Sequence, residues 1–161
     1  MKMKHWMAAS LLLPLAAIFF LDEQLQYLRF RYVEQNTASL PGVDIRFTGD
    51  WLPAADREPG QVTASRFESW GFEKPTHFIT VVRTELDLSE EVADRLPSKT
   101  YPWGEAKIVA TKEARDLVGL EGDAEITALI PELNLLVILS HLADLDFIEL
   151  RAPERVGRVW G

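Results

Sequence analysis

The chain has 161 residues, 17 basic and 25 acidic side chains and three histidines, which gives a formal net charge of −8. That length makes one domain, and 47% hydrophobic with 26% charged residues is the composition of an ordinary folded protein. The acidic balance argues against a nucleic-acid partner, which needs a basic stripe to neutralise phosphates, and the lack of cysteine excludes disulfides, thiolate nucleophiles, Cys-ligated zinc and iron–sulfur clusters.

The amino terminus carries the strongest signal. Lys2 and Lys4 precede an unbroken apolar run from Trp6 to Leu21, closed by Asp22 and Glu23. A positive start followed by an apolar stretch is what export machinery reads. The 17 residues from His5 to Leu21 span about 25 Å as helix, the lower edge of what crosses a hydrocarbon core of ~30 Å. The expectation is an uncleaved signal anchor, with Pro14 tolerated in lipid. A cleaved signal peptide is the next reading, although Ala16-Ala17-Ile18-Phe19-Phe20-Leu21 offers no good pair of small residues before a cut. A buried helix of a soluble domain is the third. The anchor divides the chain into a membrane helix (1–21), a juxtamembrane segment (22–39), an extracytoplasmic domain (40–155) and a short tail (156–161).

Residues 22–39 are expected to continue the helix, with a loop over 36–39 before the Pro41-Gly42 turn. Val43 to Phe47 alternates as a half-buried strand, and Gln61 to Phe67 reads as a second. Thr76 to Leu86 is apolar on both faces at its centre, as an interior strand would be. Asp87 is placed to cap a short helix ending at Pro97. Residues 98–104 read as a loop, and Lys107 to Ala110 as a strand. Thr111 and Gly119 bound a helix over 112–118. Ala124 to Ile130 and Leu133 to Ser140 are further strands, and His141 to Arg151 is expected to be helical. The sum is α+β: an N-terminal membrane-spanning helix, then a small domain with a mainly antiparallel sheet of about six strands and two or three short helices.

No motif names an activity. Gly-x-Ser-x-Gly, a phosphate-binding glycine loop and His-Glu-x-x-His are all absent from the sequence, and no cofactor is implied. The acidic group Glu85, Asp87, Glu90, Glu91 and Asp94 reads as a solvated face. Two constellations remain. Trp51, Trp70, Tyr101 and Trp103 fall beside Gly or Pro in turn segments; Trp70, Tyr101 and Trp103 are the candidate binding residues, since loop aromatics anchor interfaces, and Trp51 shares the alternative of plugging the sheet end. His77 and His141 lie near the ends of two apolar strands and could meet if those strands pair, as a general acid–base pair or as a two-histidine metal site with Asp144, Asp146 or another carboxylate as third ligand. The first constellation points to a membrane-anchored, extracytoplasmic binding or accessory domain without catalysis, whose partner is a protein or envelope component. The second points to a small extracytoplasmic enzyme or metal-binding protein.

Overall fold

Period-two alternation builds most of the molecule. In the computed structural model, which describes residues 21, 24–53, 59–66, 76–85, 88–120 and 126–151, ten strands and two short α-helices follow one another. They are β1 (Thr37–Leu40), β2 (Val43–Phe47), β3 (Leu52–Pro53), β4 (Gln61–Arg66), β5 (His77–Arg83), α1 (Glu90–Arg95), β6 (Ser98–Tyr101), β7 (Gly104–Val109), α2 (Lys112–Val118), β8 (Ile126–Ile130), β9 (Leu135–Leu139) and β10 (Ile148–Arg151). Every described ladder is antiparallel. One sheet has the order β1-β2-β10; the other runs β3-β4-β5-β9-β8-β7-β6. The expectation of an α+β fold with mainly antiparallel sheet is met, with more strands than expected.

The two sheets share one core. Ile45 and Phe47 of β2, Ile148 and Leu150 of β10, Ile79 and Val81 of β5, and Val137 and Leu139 of β9 all join it. Alternate residues of the large sheet point the other way. There Val109 and Leu129 pack with Leu96, and Ala114, Leu117 and Val118 of α2 close over them. The result is three layers: small sheet, large sheet, helices. β5 and β9 occupy the interior of the large sheet, which is why their sequences are apolar on both faces.

Local chemistry sets the boundaries. The Thr111 hydroxyl accepts from Ala114 N–H at 3.2 Å, and Gly119 closes α2 at φ +71°, as the sequence predicts. For α1 the cap is Ser89, accepting from Val92 N–H; Asp87 lies outside the described residues. Three expectations change. Thr37–Leu40 is a strand rather than a loop, because Ala38 and Leu40 bury while Pro41-Gly42 forms a two-residue turn to β2. Residues 98–109 form a β-hairpin through Pro102-Trp103; β6 is an edge strand, exposed or half-buried along its length, so burial left no alternation to read. Residues 141–151 split into a 3₁₀ turn, Leu142–Phe147, and the strand β10. The spacing of three between Leu142, Leu145 and Ile148 is the 3₁₀ period, not the α period.

Residues 24–28 are helical and run into a π turn, Arg29–Val33. Among the described residues no helix is long and apolar enough to cross a membrane. The expected anchor lies, except for Leu21, outside them.

Ile79 is fully buried at the centre of the large sheet, flanked by Ala64 and Leu139. Ile79→Ala is expected to cost about 2–5 kcal/mol in urea unfolding, as large-to-small core changes do. Thr100→Ala on the exposed edge strand should stay within about 0.5 kcal/mol.

Candidate functional site

The β5–β9 register pairs Ile79 with Leu139. Two residues further along the same ladder, His77 stands opposite His141. Their rings lie 4.5 Å apart between centroids, tilted by 38°. The intervening pair closes the ladder: Ser140 N–H donates to Phe78 O at 3.2 Å, and Phe78 N–H donates to the Ser140 hydroxyl oxygen at 2.9 Å. The chain then enters the 3₁₀ turn, which brings Asp144 back beneath both imidazoles.

Asp144 is the centre of the cluster. It is only 1% exposed, and a buried carboxylate is costly unless its oxygens are paired. Oδ1 lies 2.9 Å from His77 Nδ1. Oδ2 accepts from the Ser140 hydroxyl at 3.0 Å and from His141 N–H at 3.1 Å, and lies 3.8 Å from His141 Nδ1. Its backbone N–H donates to His141 O. The side chain is thus the N3 member of a capping box whose N-cap is His141. Burial differs sharply across the cluster: the His77 side chain is half-buried, and that of His141 is 57% exposed. One donor atom from each of His77, His141 and Asp144 lies within 4.8 Å of the others.

Two imidazoles and a carboxylate are a donor set that a metal ion could take. Zinc bonds of about 2.0–2.1 Å to imidazole nitrogen and carboxylate oxygen imply ligand-to-ligand separations of roughly 3.3 Å. Oδ1 lies 2.9 Å from His77 Nδ1 and Oδ2 3.8 Å from His141 Nδ1, and one donor from each residue lies within 4.8 Å of the others, so the side chains would have to close by up to about 1.5 Å to share one ion. Oδ1 can turn to the metal while Oδ2 keeps its two donors, which is the outer-shell support that orients a ligating carboxylate. Arg66, the cross-strand neighbour of His77, holds its guanidinium carbon 5.1 Å from the Phe147 ring centroid.

The loop aromatics are arranged differently. Trp51 is fully buried and sits between Phe47 and Phe147, so it completes the core. Trp70 lies outside the described residues. Tyr101 and Trp103 stack at 4.5 Å with nearly parallel planes. Both are half-buried, and the Trp103 indole N–H donates to Ile148 O at 2.9 Å, fastening the β6–β7 hairpin to β10. They form one wall of a cleft of about 520 Å³ whose other side includes Thr48, Asp146 and Glu149. Lys99 reaches over the Tyr101 ring and donates to Asp146 at 2.8 Å; that hydrogen bond raises the ammonium pKa, and burial raises that of the Tyr101 hydroxyl. Asp146, the other candidate third ligand, is therefore committed to Lys99 and not to the histidines.

The sequence indicated His77, His141 and Asp144 as a possible set. It did not indicate Ser140, whose hydroxyl joins the two strands to Asp144. The signal was present in the His141-x-x-Asp144 spacing, which is that of a capping box as well as of a ligand pair. Of the acidic group read as a solvated face, Glu85, Glu90, Glu91 and Asp94 are exposed, and Asp87 lies outside the described residues.

Asp144→Ala should cost about 2–4 kcal/mol in urea unfolding, because the Ser140 hydroxyl and His141 N–H lose their acceptor and each unpaired buried group costs about 1–3 kcal/mol. Asp144→Asn should cost less, since its amide oxygen still accepts from both. Trp103→Phe removes one indole hydrogen bond and is expected to cost about 1 kcal/mol in the same measurement. Comparison with protein families, with curated proteins and with solved structures finds no match to this chain, so the side chains themselves carry the functional reading.

Proposed function

We propose that this chain is a membrane-anchored extracytoplasmic domain whose working part is a divalent transition-metal site made by His77, His141 and Asp144. The observation that supports it is the convergence of two imidazoles and one nearly inaccessible carboxylate, with donor atoms within 4.8 Å of one another. Two nitrogen donors and one oxygen donor favour zinc or a neighbouring first-row ion over calcium or magnesium, which prefer all-oxygen sites. Three protein ligands leave a position for water or an outside ligand, the pattern of open rather than purely structural zinc sites. The exposed edge of His141 puts that position at the surface.

The aromatic reading of the same domain is weaker. Tyr101 and Trp103 stack on each other, and the Trp103 N–H is spent within the chain. These contacts hold the β6–β7 hairpin in place before any partner arrives. Their cleft remains a surface where an envelope component can rest, and the anchor over residues 6–21 is the reason to place that surface outside the cytoplasm.

The test is titration of the purified chain with zinc, followed by calorimetry, and with cobalt(II), followed by its visible absorption. One ion per chain is expected, with the intense bands of a low-coordinate cobalt site. His141→Ala keeps the backbone N–H that donates to Asp144 and should leave the circular dichroism unchanged, at a cost of about 1 kcal/mol for the side chain lost from the N-cap of the turn. It should weaken zinc by at least about tenfold, as even outer-shell losses do. Equal zinc affinity in the wild type and in His141→Ala, with both folded, overturns the assignment.

A further inference from the structure

Among the described residues, every large apolar side chain standing well open to solvent falls in one stretch: Leu21, Leu25, Leu28, Tyr32 and Val33, each between 46% and 74% exposed. Leu21, Leu25, Leu28 and Tyr32 recur at i, i+4, i+7 and i+11, the spacing of one helix face. The opposite side of the same stretch is not free. Phe30 is buried to 1% and meets Phe47 of β2 at 6.1 Å between ring centroids. Asn36 N–H donates to Phe30 O at 2.7 Å, and Arg31 binds Asp50 and Gly49 O. This is a helix fixed to the folded body on one side and apolar on the other.

We infer that this stripe is a lipid-contacting surface, seated in the boundary between headgroups and acyl chains, which holds the folded body against the bilayer at a fixed attitude instead of on a loose tether. Lipid is the occupant because the stripe begins on Leu21, the last residue of the uncharged run that starts at Trp6. Whatever apolar phase receives that run lies next to the stripe. An amphipathic helix at such a boundary buries its apolar face by about 5–10 Å. Tyr32 suits the polar edge of that zone, where amphipathic rings collect. Electrostatic attraction to an anionic surface is not the cause, since the chain carries −8; the contact is one of apolar burial.

The inference rests on the anchor reading, and the experiment separates the two. The native chain has no cysteine, so single cysteines can be placed at will. Leu12→Cys, Leu25→Cys, Leu28→Cys and Thr100→Cys are each labelled with an environment-sensitive fluorophore in the full-length chain and reconstituted into phosphatidylcholine vesicles. Lipids carrying a nitroxide high on the acyl chain serve as quenchers. Probes at 25 and 28 should be blue-shifted and lose at least half of their emission to the quencher, while a probe at 100 loses little. Quenching at 12 but not at 25 or 28 overturns the docked arrangement and leaves the anchor standing. No quenching at 12 overturns both. Equal quenching at 100 means that the body sinks without orientation, which also overturns the proposal.

Discussion

The pairing of β5 with β9 is the constraint on which the rest of the molecule turns. These strands are the third and fourth of seven in the large sheet, and their alternate residues feed the inter-sheet core with Ile79, Val81, Val137 and Leu139. Antiparallel pairing has period two, so a slip of one residue would send the two core side chains of the slipped strand to the wrong face. The same register decides where the histidines stand. Ile79 opposite Leu139 means His77 opposite His141, and no other alignment brings the rings together. Hydrophobic burial, which is not chemically selective, therefore sets the geometry of a chemically selective cluster.

At the end of that ladder the fold accepts a buried carboxylate. Desolvation of Asp144 would be expensive in isolation, and four groups offset it: the His77 ring, the Ser140 hydroxyl, His141 N–H and, when the ring is charged, His141 itself. One oxygen of the carboxylate faces His77, and the other takes the Ser140 hydroxyl and His141 N–H donors and lies nearest the His141 ring. The 3₁₀ turn matters here because it winds at about 3.0 residues per turn against the 3.6 of an α-helix. That tightening folds Asp144 back onto the strand end it caps.

How much of this was written legibly in the sequence depended on how strongly each element uses burial. Val43–Phe47 alternates because one face is packed and the other is wet, and it is a strand with the expected bounds. Thr111 and Gly119 announce α2 because a side-chain cap and a left-handed stop are local chemistry. Residues 98–101 bury little, so their pairing with β7 follows from turn geometry at Pro102-Trp103 and from hydrogen bonds that leave no apolar pattern. Residues 141–151 carried a spacing of three that an α-helix tolerates and a 3₁₀ turn requires, and the alternation of Ile148 and Leu150 was too short to overrule it. The two histidines were visible as residues near strand ends. Their meeting was not, because it depends on which strands are neighbours, and neighbour choice is a property of the whole core.

The exposed apolar stripe of residues 21–33 and the histidine cluster are joined by a row of aromatic rings. Phe30 meets Phe47 at 6.1 Å, Phe47 meets Trp51 at 6.2 Å, and Trp51 meets Phe147 at 6.1 Å. Phe147 ends the 3₁₀ turn that carries Asp144. Rings packed at such separations in a core behave as one solid, since interiors are as dense as organic crystals. Thr48 N–H donates to Phe147 O at 2.8 Å and Trp103 N–H to Ile148 O, so the turn is held from both sides. The consequence is positional: a helix packed on Phe47 through one face would, if its other face meets lipid as proposed, fix the height and tilt of every group built on the sheets. If the proposed lipid contact holds, the histidine cluster would stand at one distance from the bilayer, which would favour a partner or ligand confined to that surface over one diffusing in bulk.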